Sequence, residues 1–180
     1  MKAVVKNNRQ IELALLNASM LRELCIYLAG LTDETVKRFG PHPFDPEAVR
    51  ELYAATGLYT GYVAFDDDSR KIIAYAIVKT GYLPHDAVRL SAYGLQLSET
   101  TDCTLAPSVA DAWQGMGLGD QLLQFIYTDL KQKGFKRMIL WGGVQASNEA
   151  ACRFYLKNGF TILGQFSYNG ENFDMTLQIN

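Results

Sequence analysis

Cysteine is scarce in this chain: Cys25, Cys103 and Cys152 are odd in number and far apart. That pattern excludes a disulfide framework and the paired spacing of a zinc site, and it fits reduced thiols in a cytosol. Histidine is scarcer still, with only His42 and His85. No apolar run approaches the ~20 residues that span a bilayer, and residues 1–9 lack the apolar core of a secretory signal. Neither charge dominates: 17 Lys and Arg against 19 Asp and Glu give a formal charge of -2. A basic face of the kind nucleic acid requires is therefore not indicated. Lys131, Lys133, Lys136 and Arg137 read as the solvated end of a helix and its exit, where cations suit the helix dipole. The expectation is a cytoplasmic protein with neither nucleic acid nor membrane as partner. Internal repeats and domain linkers are also missing.

What is present is a chain of 180 residues, 48% apolar and 20% charged, suited to one globular domain with a substantial core. Residues 11–16 form an expected first strand. Asn17 then resembles an N-cap, Thr32 another, and Asp45 a third, with Pro46 at the first helical position and Gly57 just past the end. Pro41-His42-Pro43 between them reads as an extended or turn connection. After Gly57 the pattern becomes β-branched and aromatic. Residues 58–65 and 71–79 flank Asp66-Asp67-Asp68-Ser69, a hairpin turn lacking the further spaced oxygen ligands of a calcium loop. Residues 81–100 read as a long connection, with room for short structure around Val88 to Leu97. Then follow a strand (101–109), a helix (118–133), a strand (135–141), a helix (148–158) and two strands (160–166 and 172–179). The last two surround Tyr168-Asn169-Gly170, a strong hairpin signal. This order gives an α/β fold around a mixed sheet. The strands on either side of helix 118–133 should be parallel, joined by a right-handed crossover.

The most informative stretch is Gln114-Gly115-Met116-Gly117-Leu118-Gly119. Glycine without a Cβ turns tightly and lets backbone N–H groups approach a ligand. A helix starting there adds unpaired N–H donors and a positive dipole end, so loop and helix suit phosphate oxygens. Without a Gly-Lys-Ser/Thr ending this is not a P-loop. The spacing is also wrong for dinucleotide binding, and no acid stands ~20 residues on.

A second block lies downstream. Gln114-x-x-Gly117-x-Gly119, followed by Asn148-x-x-Ala151-x-x-Phe154-Tyr155-x-x-x-Gly159-Phe160, resembles the two signature blocks of the GNAT N-acetyltransferase superfamily. The resemblance covers about two-thirds of the chain and is loose over the N-terminal helical region and residues 81–100. It implies a single acetyltransferase domain over 1–180, with 1–57 a helical acceptor-side region and 58–180 the sheet and CoA-binding core. The implied sheet is mixed, mostly antiparallel, of about seven strands flanked by helices, with the central parallel pair splayed for CoA.

The resemblance implies acetyl-CoA as cosubstrate and no metal. Backbone N–H groups of Gln114, Gly115, Met116, Gly117, Leu118, Gly119 and Asp120 would cradle the pyrophosphate. Backbone from Ala106 to Val109 would pair with pantetheine like an added strand. An N–H near Val109 would hold the oxyanion of the tetrahedral intermediate, while Pro107 cannot donate. Asn148 would serve as N-cap or pantetheine contact, and Tyr155 would aim its hydroxyl at the CoA sulfur. With ordinary pKa values of ~10 and ~8.5, full proton transfer to the thiolate is uphill by roughly 2 kcal/mol, so hydrogen-bond donation would be most of its role.

For the base that takes the amine's proton, Asp102 is the first candidate and Glu99 the second. His42 in a rigid turn and His85 in a surface loop receive no role. Cys103 and Cys152 lack a neighbouring histidine motif, which favours direct transfer over an acetyl-cysteine intermediate. The acceptor would be an amine on a small molecule or a protein, bound among residues 38–44, 81–100 and the C-terminal hairpin, by a monomer or homodimer. Two other readings stay open: a non-catalytic acetyl-CoA-binding regulatory module, and transfer to oxygen or of a longer acyl group.

Overall fold

A computed structural model describes residues 1–54 and 57–180. In chain order its elements are β1 (Lys2–Val4), β2 (Gln10–Leu15), α1 (Leu21–Ala29), α2 (Asp33–Val36), α3 (Pro46–Ala54), β3 (Tyr59–Asp66) and β4 (Ile72–Thr80). There follow α4 (Ala87–Ala92), β5 (Asp102–Val109), α5 (Leu118–Gln132), β6 (Arg137–Leu140), β7 (Val144–Gln145), α6 (Glu149–Lys157), β8 (Thr161–Ser167) and β9 (Glu171–Gln178). The chain forms two compact units, Met1–Val78 with Ala106–Thr128, and Lys79–Leu105 with Asp129–Asn180. Strands β4 and β5 each run through both.

In the first unit the strands follow the order β1-β2-β3-β4-β5. Antiparallel registers include Ala3↔Ile11 and Leu13↔Ala64. β2 alternates, with Ile11 and Leu13 fully buried, whereas Tyr62 to Phe65 and Ile72 to Val78 are buried at every position. Continuous burial means that both faces of β3 and β4 are covered. Helix α1 contributes Leu24, Tyr27 and Leu28 to the core, and α5 contributes Leu118, Leu122 and Ile126. The expected caps form: Asp45 Oδ1 accepts from Ala48 N at 2.9 Å and Thr32 Oγ1 from Thr35 N at 3.4 Å. Asn17 caps a single 3-10 turn rather than α1 itself. The expected end of α3 before Gly57 falls on residues 55 and 56, outside the described residues.

In the second unit β5 and β6 are parallel, from Asp102↔Arg137 to Leu105↔Leu140. The register stops there, while β5 continues to Val109. β9 pairs antiparallel with β6 and β7 and forms a hairpin with β8. Asn169 (φ 50°) and Gly170 (φ 112°) adopt the left-handed conformations that the hairpin turn needs. Residues 81–100 are not a bare connection. Pro84–Asp86 forms a 3-10 turn and α4 follows. The Arg89 guanidinium binds the buried Asp174 (2.6 Å) and Asp86 (2.8 Å) and lies 3.7 Å over the Phe166 ring. A Cβ on Gly164 would collide with Tyr93, and the β8–β9 register shifts beside that glycine.

The sheet is mixed and mostly antiparallel with helices flanking it, as expected, but it has nine strands among the described residues rather than about seven. The additional two, β1 and β7, have 3 and 2 residues. Segments that short carry no legible alternation.

Candidate active site

The glycine run connects β5 to α5 within the first unit. Gly115 (φ 71°) and Gly117 (φ 84°) are left-handed, and no heavy atom lies within 4 Å of a Cβ built on either. Their requirement is therefore conformation and open space rather than packing. The loop is tied down from behind. Lys6 donates its backbone N–H to Met116 O at 3.1 Å and its ammonium to Gly115 O at 3.0 Å. Gln114 Nε2 donates to Val109 O and to Asp111 Oδ1, each at 3.2 Å. Asp111 also accepts from the hydroxyls of Thr32 (3.1 Å) and Thr35 (3.0 Å). The carbonyls of Gly115 and Met116 thus face the N-terminal segment, while α5 begins at Leu118 with its first N–H groups lacking intrahelical acceptors. One expected donor is spent: the Gln114 N–H bonds to Asp111 O at 3.2 Å. Glutamine serves here as the side chain that ties the turn to the end of β5.

Near that end, Ala110 N donates to Ile73 O at 2.9 Å. Ser108 Oγ is 3.0 Å from the Tyr27 hydroxyl. A cavity of about 300 Å³ adjoins Ala110 and Asp111, walled also by Tyr27, Leu31, Lys71 and Ile72. Trp113 is a core residue under the Arg9 guanidinium, which stands 3.7 Å from its ring.

In the second unit Asn148 is the N-cap of α6, its Oδ1 accepting from Ala151 N at 3.2 Å. Tyr155, about two turns further into the helix, is 8% exposed and packed edge-on against Phe154 and Phe160. Burial pushes its phenol well above the ordinary range. It is a hydrogen-bond donor throughout the neutral range. Burial likewise raises the thiols of Cys103 and Cys152, so neither is a ready thiolate.

Asp102, the first candidate base, is held differently from expectation. It is 2% exposed and takes a bidentate pair from Arg137, Nε to Oδ1 at 3.1 Å and Nη2 to Oδ2 at 2.7 Å. Ser98 N adds a third bond at 2.9 Å. Both oxygens are occupied, and Asp102 opens β5 while Val109 closes it. At ~3.3 Å per residue the two lie about 23 Å apart along the strand. Arg137 is accordingly a partly buried partner of Asp102 rather than part of a solvated helix exit. The Asp102→Asn variant is expected to lose about 3–5 kcal/mol of stability by stranding Arg137. Its turnover per folded molecule should stay within about twofold of the parent, measured by denaturant unfolding beside initial rates; a pH-dependent collapse of kcat instead would return Asp102 to the mechanism. Glu99 is exposed, and its carboxylate next to the Tyr82 hydroxyl raises that phenol.

A third group was given no role by sequence. His42 Nδ1 lies 2.7 Å from Pro43 O and Nε2 lies 3.0 Å from the Tyr75 hydroxyl, which is 2.6 Å from the Tyr53 hydroxyl. Phe39 and Phe44 complete the surround, and desolvation lowers the His42 pKa. Nothing in Pro41-His42-Pro43 announces tyrosines 11 and 33 residues away.

An open glycine turn at the head of a 15-residue helix, following a strand that pairs parallel with β6, makes a site suited to an anionic ligand. The acetyltransferase (GNAT) family model matches residues 28–160, and the chain belongs to that family. It is an acetyl-CoA-dependent N-acetyltransferase, since transfer of the acetyl group of acetyl-CoA to amines is the family's reaction. Solved structures similar to it include the GNAT domain of S. lividans PAT, with TM-score 0.74 and 16% identity over 99% of this chain and 96% of that one. Spermidine N-acetyltransferase from Vibrio cholerae, in complex with CoA and spermine, gives 0.68 and 15% over 94% and 95%. The ribosomal-protein-S18-alanine N-acetyltransferase from Escherichia coli gives 0.62 and 20% over 94% of each chain. At these identities the likeness is one of fold. A search of curated protein sequences finds no match to this chain.

Proposed function

We propose that this chain moves the acetyl group of acetyl-CoA directly to a primary amine of a small molecule or a protein in the cytoplasm. The observation that carries the reading is the glycine loop, whose Gly115 and Gly117 backbone faces open space on the side where a Cβ would point. N–H groups of Gly115, Met116, Gly117, Leu118, Gly119 and Asp120 hold the pyrophosphate there. Backbone at Ala106 and Val109 engages pantetheine and the thioester oxygen, and Asn148 orients the start of α6. The amine attacks the thioester carbonyl, the C–S bond breaks, and Tyr155 donates a hydrogen bond to the departing sulfur. Raised thiol pKa values at Cys103 and Cys152 support direct transfer without an acetyl-enzyme. The acceptor binds on the N-terminal helical side. Polyamine and protein amines are the first classes to try, because two structural neighbours are named for them.

The test is incubation with acetyl-CoA and a panel of polyamines, amino sugars and lysine-containing peptides, following free thiol, with CoA affinity measured by calorimetry. Thiol release that depends on one amine class is the expected result. Tight CoA binding with no turnover on any amine would overturn catalysis and leave a binding module.

A further inference from the structure

We infer that Tyr53, Tyr75 and His42 form the relay by which the acceptor amine gives up its proton, with His42 as the terminal proton acceptor. This rests on the N-acetyltransferase reading above. The direction of the relay follows from one carbonyl. Pro43 O can only accept, so the hydrogen of the neutral imidazole is on Nδ1, 2.7 Å away. Nε2 then carries a lone pair and accepts from the Tyr75 hydroxyl at 3.0 Å. With that hydrogen committed, the Tyr75 oxygen accepts from Tyr53 at 2.6 Å. All the hydrogens point one way, toward the only basic atom in the chain of bonds.

The other end of the relay meets a cavity. Tyr53 lines a space of about 440 Å³ with Leu15, Leu16, Asn17, Leu21 and Arg50, large enough for an extended amine side chain. Gly61 lines it too, and a Cβ there would come within 2.8 Å of the Tyr53 hydroxyl, so the glycine leaves that oxygen its room. The middle of the relay adjoins β5. Ser108 Oγ donates to the Tyr75 carbonyl at 3.4 Å, and Ser108 is the neighbour of Val109. The whole chain of groups belongs to the first unit.

The protons balance. The N–H bond of the ammonium breaks and its proton joins the Tyr53 oxygen. Tyr53 passes its own hydrogen to Tyr75, and Tyr75 passes its own to His42 Nε2. No tyrosinate forms, as is required where burial holds Tyr53 and Tyr75 above the ordinary phenol range. The amine lone pair attacks the thioester. The second amine proton, lost as the tetrahedral intermediate collapses, neutralises the departing CoA thiolate. The imidazolium returns its proton to water between turnovers. Desolvation keeps His42 neutral at pH 7 and ready to accept. The titratable groups facing it are Tyr75 from β4, Tyr53 from α3 and, through Tyr75, Tyr27 from α1; Phe39 and Phe44 are apolar. His42 acts through the tyrosines and is a positioning and relay residue, not one that touches substrate.

The test is the pH profile of kcat at saturating acetyl-CoA and the best amine of the panel. The parent should lose kcat on the acid side with an apparent pKa below the ordinary histidine value of 6.5. His42→Gln, which keeps an acceptor for Tyr75 but no base, should lower kcat by about 100-fold and erase that acid limb, with CoA affinity unchanged. Tyr53→Phe removes one oxygen atom, keeps the ring, and should erase the limb in the same way, which serves if His42→Gln does not fold. An acid limb that persists in either folded variant, with kcat within about twofold, overturns the relay. No turnover by the parent protein overturns the acetyltransferase reading instead, and the relay with it.

Discussion

Gly117→Val is expected to weaken CoA binding at least about 100-fold while the protein stays folded. Two effects add. Gly117 sits at φ 84°, a left-handed conformation that a β-branched residue adopts only at a cost of about 1–3 kcal/mol. A domain of this kind has roughly 5–15 kcal/mol of stability, so that strain alone does not unfold it. The new side chain meets no protein atom within 4 Å of its Cβ, so it projects into the space assigned to the pyrophosphate. Hydrogen bonds to charged oxygens contribute about 1.5–3 kcal/mol each, and loss of two accounts for the expected factor. Calorimetric titration with CoA, paired with a thermal melt, reads both effects. Parental affinity in a folded Gly117→Val protein would remove the loop from CoA binding.

Tyr155→Phe is expected to lower kcat by about 100-fold or more and to leave the CoA dissociation constant within about twofold. The phenyl ring keeps its packing against Phe154 and Phe160, so the fold and the walls of the site are preserved. What goes is a donor to the departing sulfur. Burial raises the Tyr155 phenol, and a group whose folded pKa lies above its ordinary value keeps its proton to higher pH. Tyr155 therefore contributes no basic limb below pH ~10, and its donor role is constant across the neutral range. Full transfer of its proton to a thiolate is more uphill than between unperturbed groups, which strengthens hydrogen-bond donation as the contribution. Unchanged kcat in the variant would take Tyr155 out of the mechanism.

Much of this was legible in the sequence, and the legible parts share a scale. Asp45, Thr32 and Asn148 cap helices with bonds three residues long. Gly159 ends α6 at φ 85°, and Asn169 with Gly170 turns the last hairpin. The parallel pairing of β5 with β6 followed from the helix that separates them in sequence. The failures have a common cause too. Arg137 looked like a solvated helix exit because its partner Asp102 is 35 residues away. Residues 81–100 read as a long connection with short structure around Val88 to Leu97, and the bounds of α4 were not legible because Arg89 holds it by reaching 85 residues to Asp174.

The amino-acid sequence determined the glycine turn, the helix that follows it and the capped helix bearing Tyr155, because each depends on backbone freedom and on partners within one or two turns. Only the tertiary structure decided which ionisable groups are paired with one another. It paired Asp102 with Arg137 across a parallel register, and it joined His42 to Tyr75 and Tyr53 from three separate segments. Side-chain pairings of that kind are set by strand register and helix docking, which arise from burial of the whole core and leave no local pattern to read.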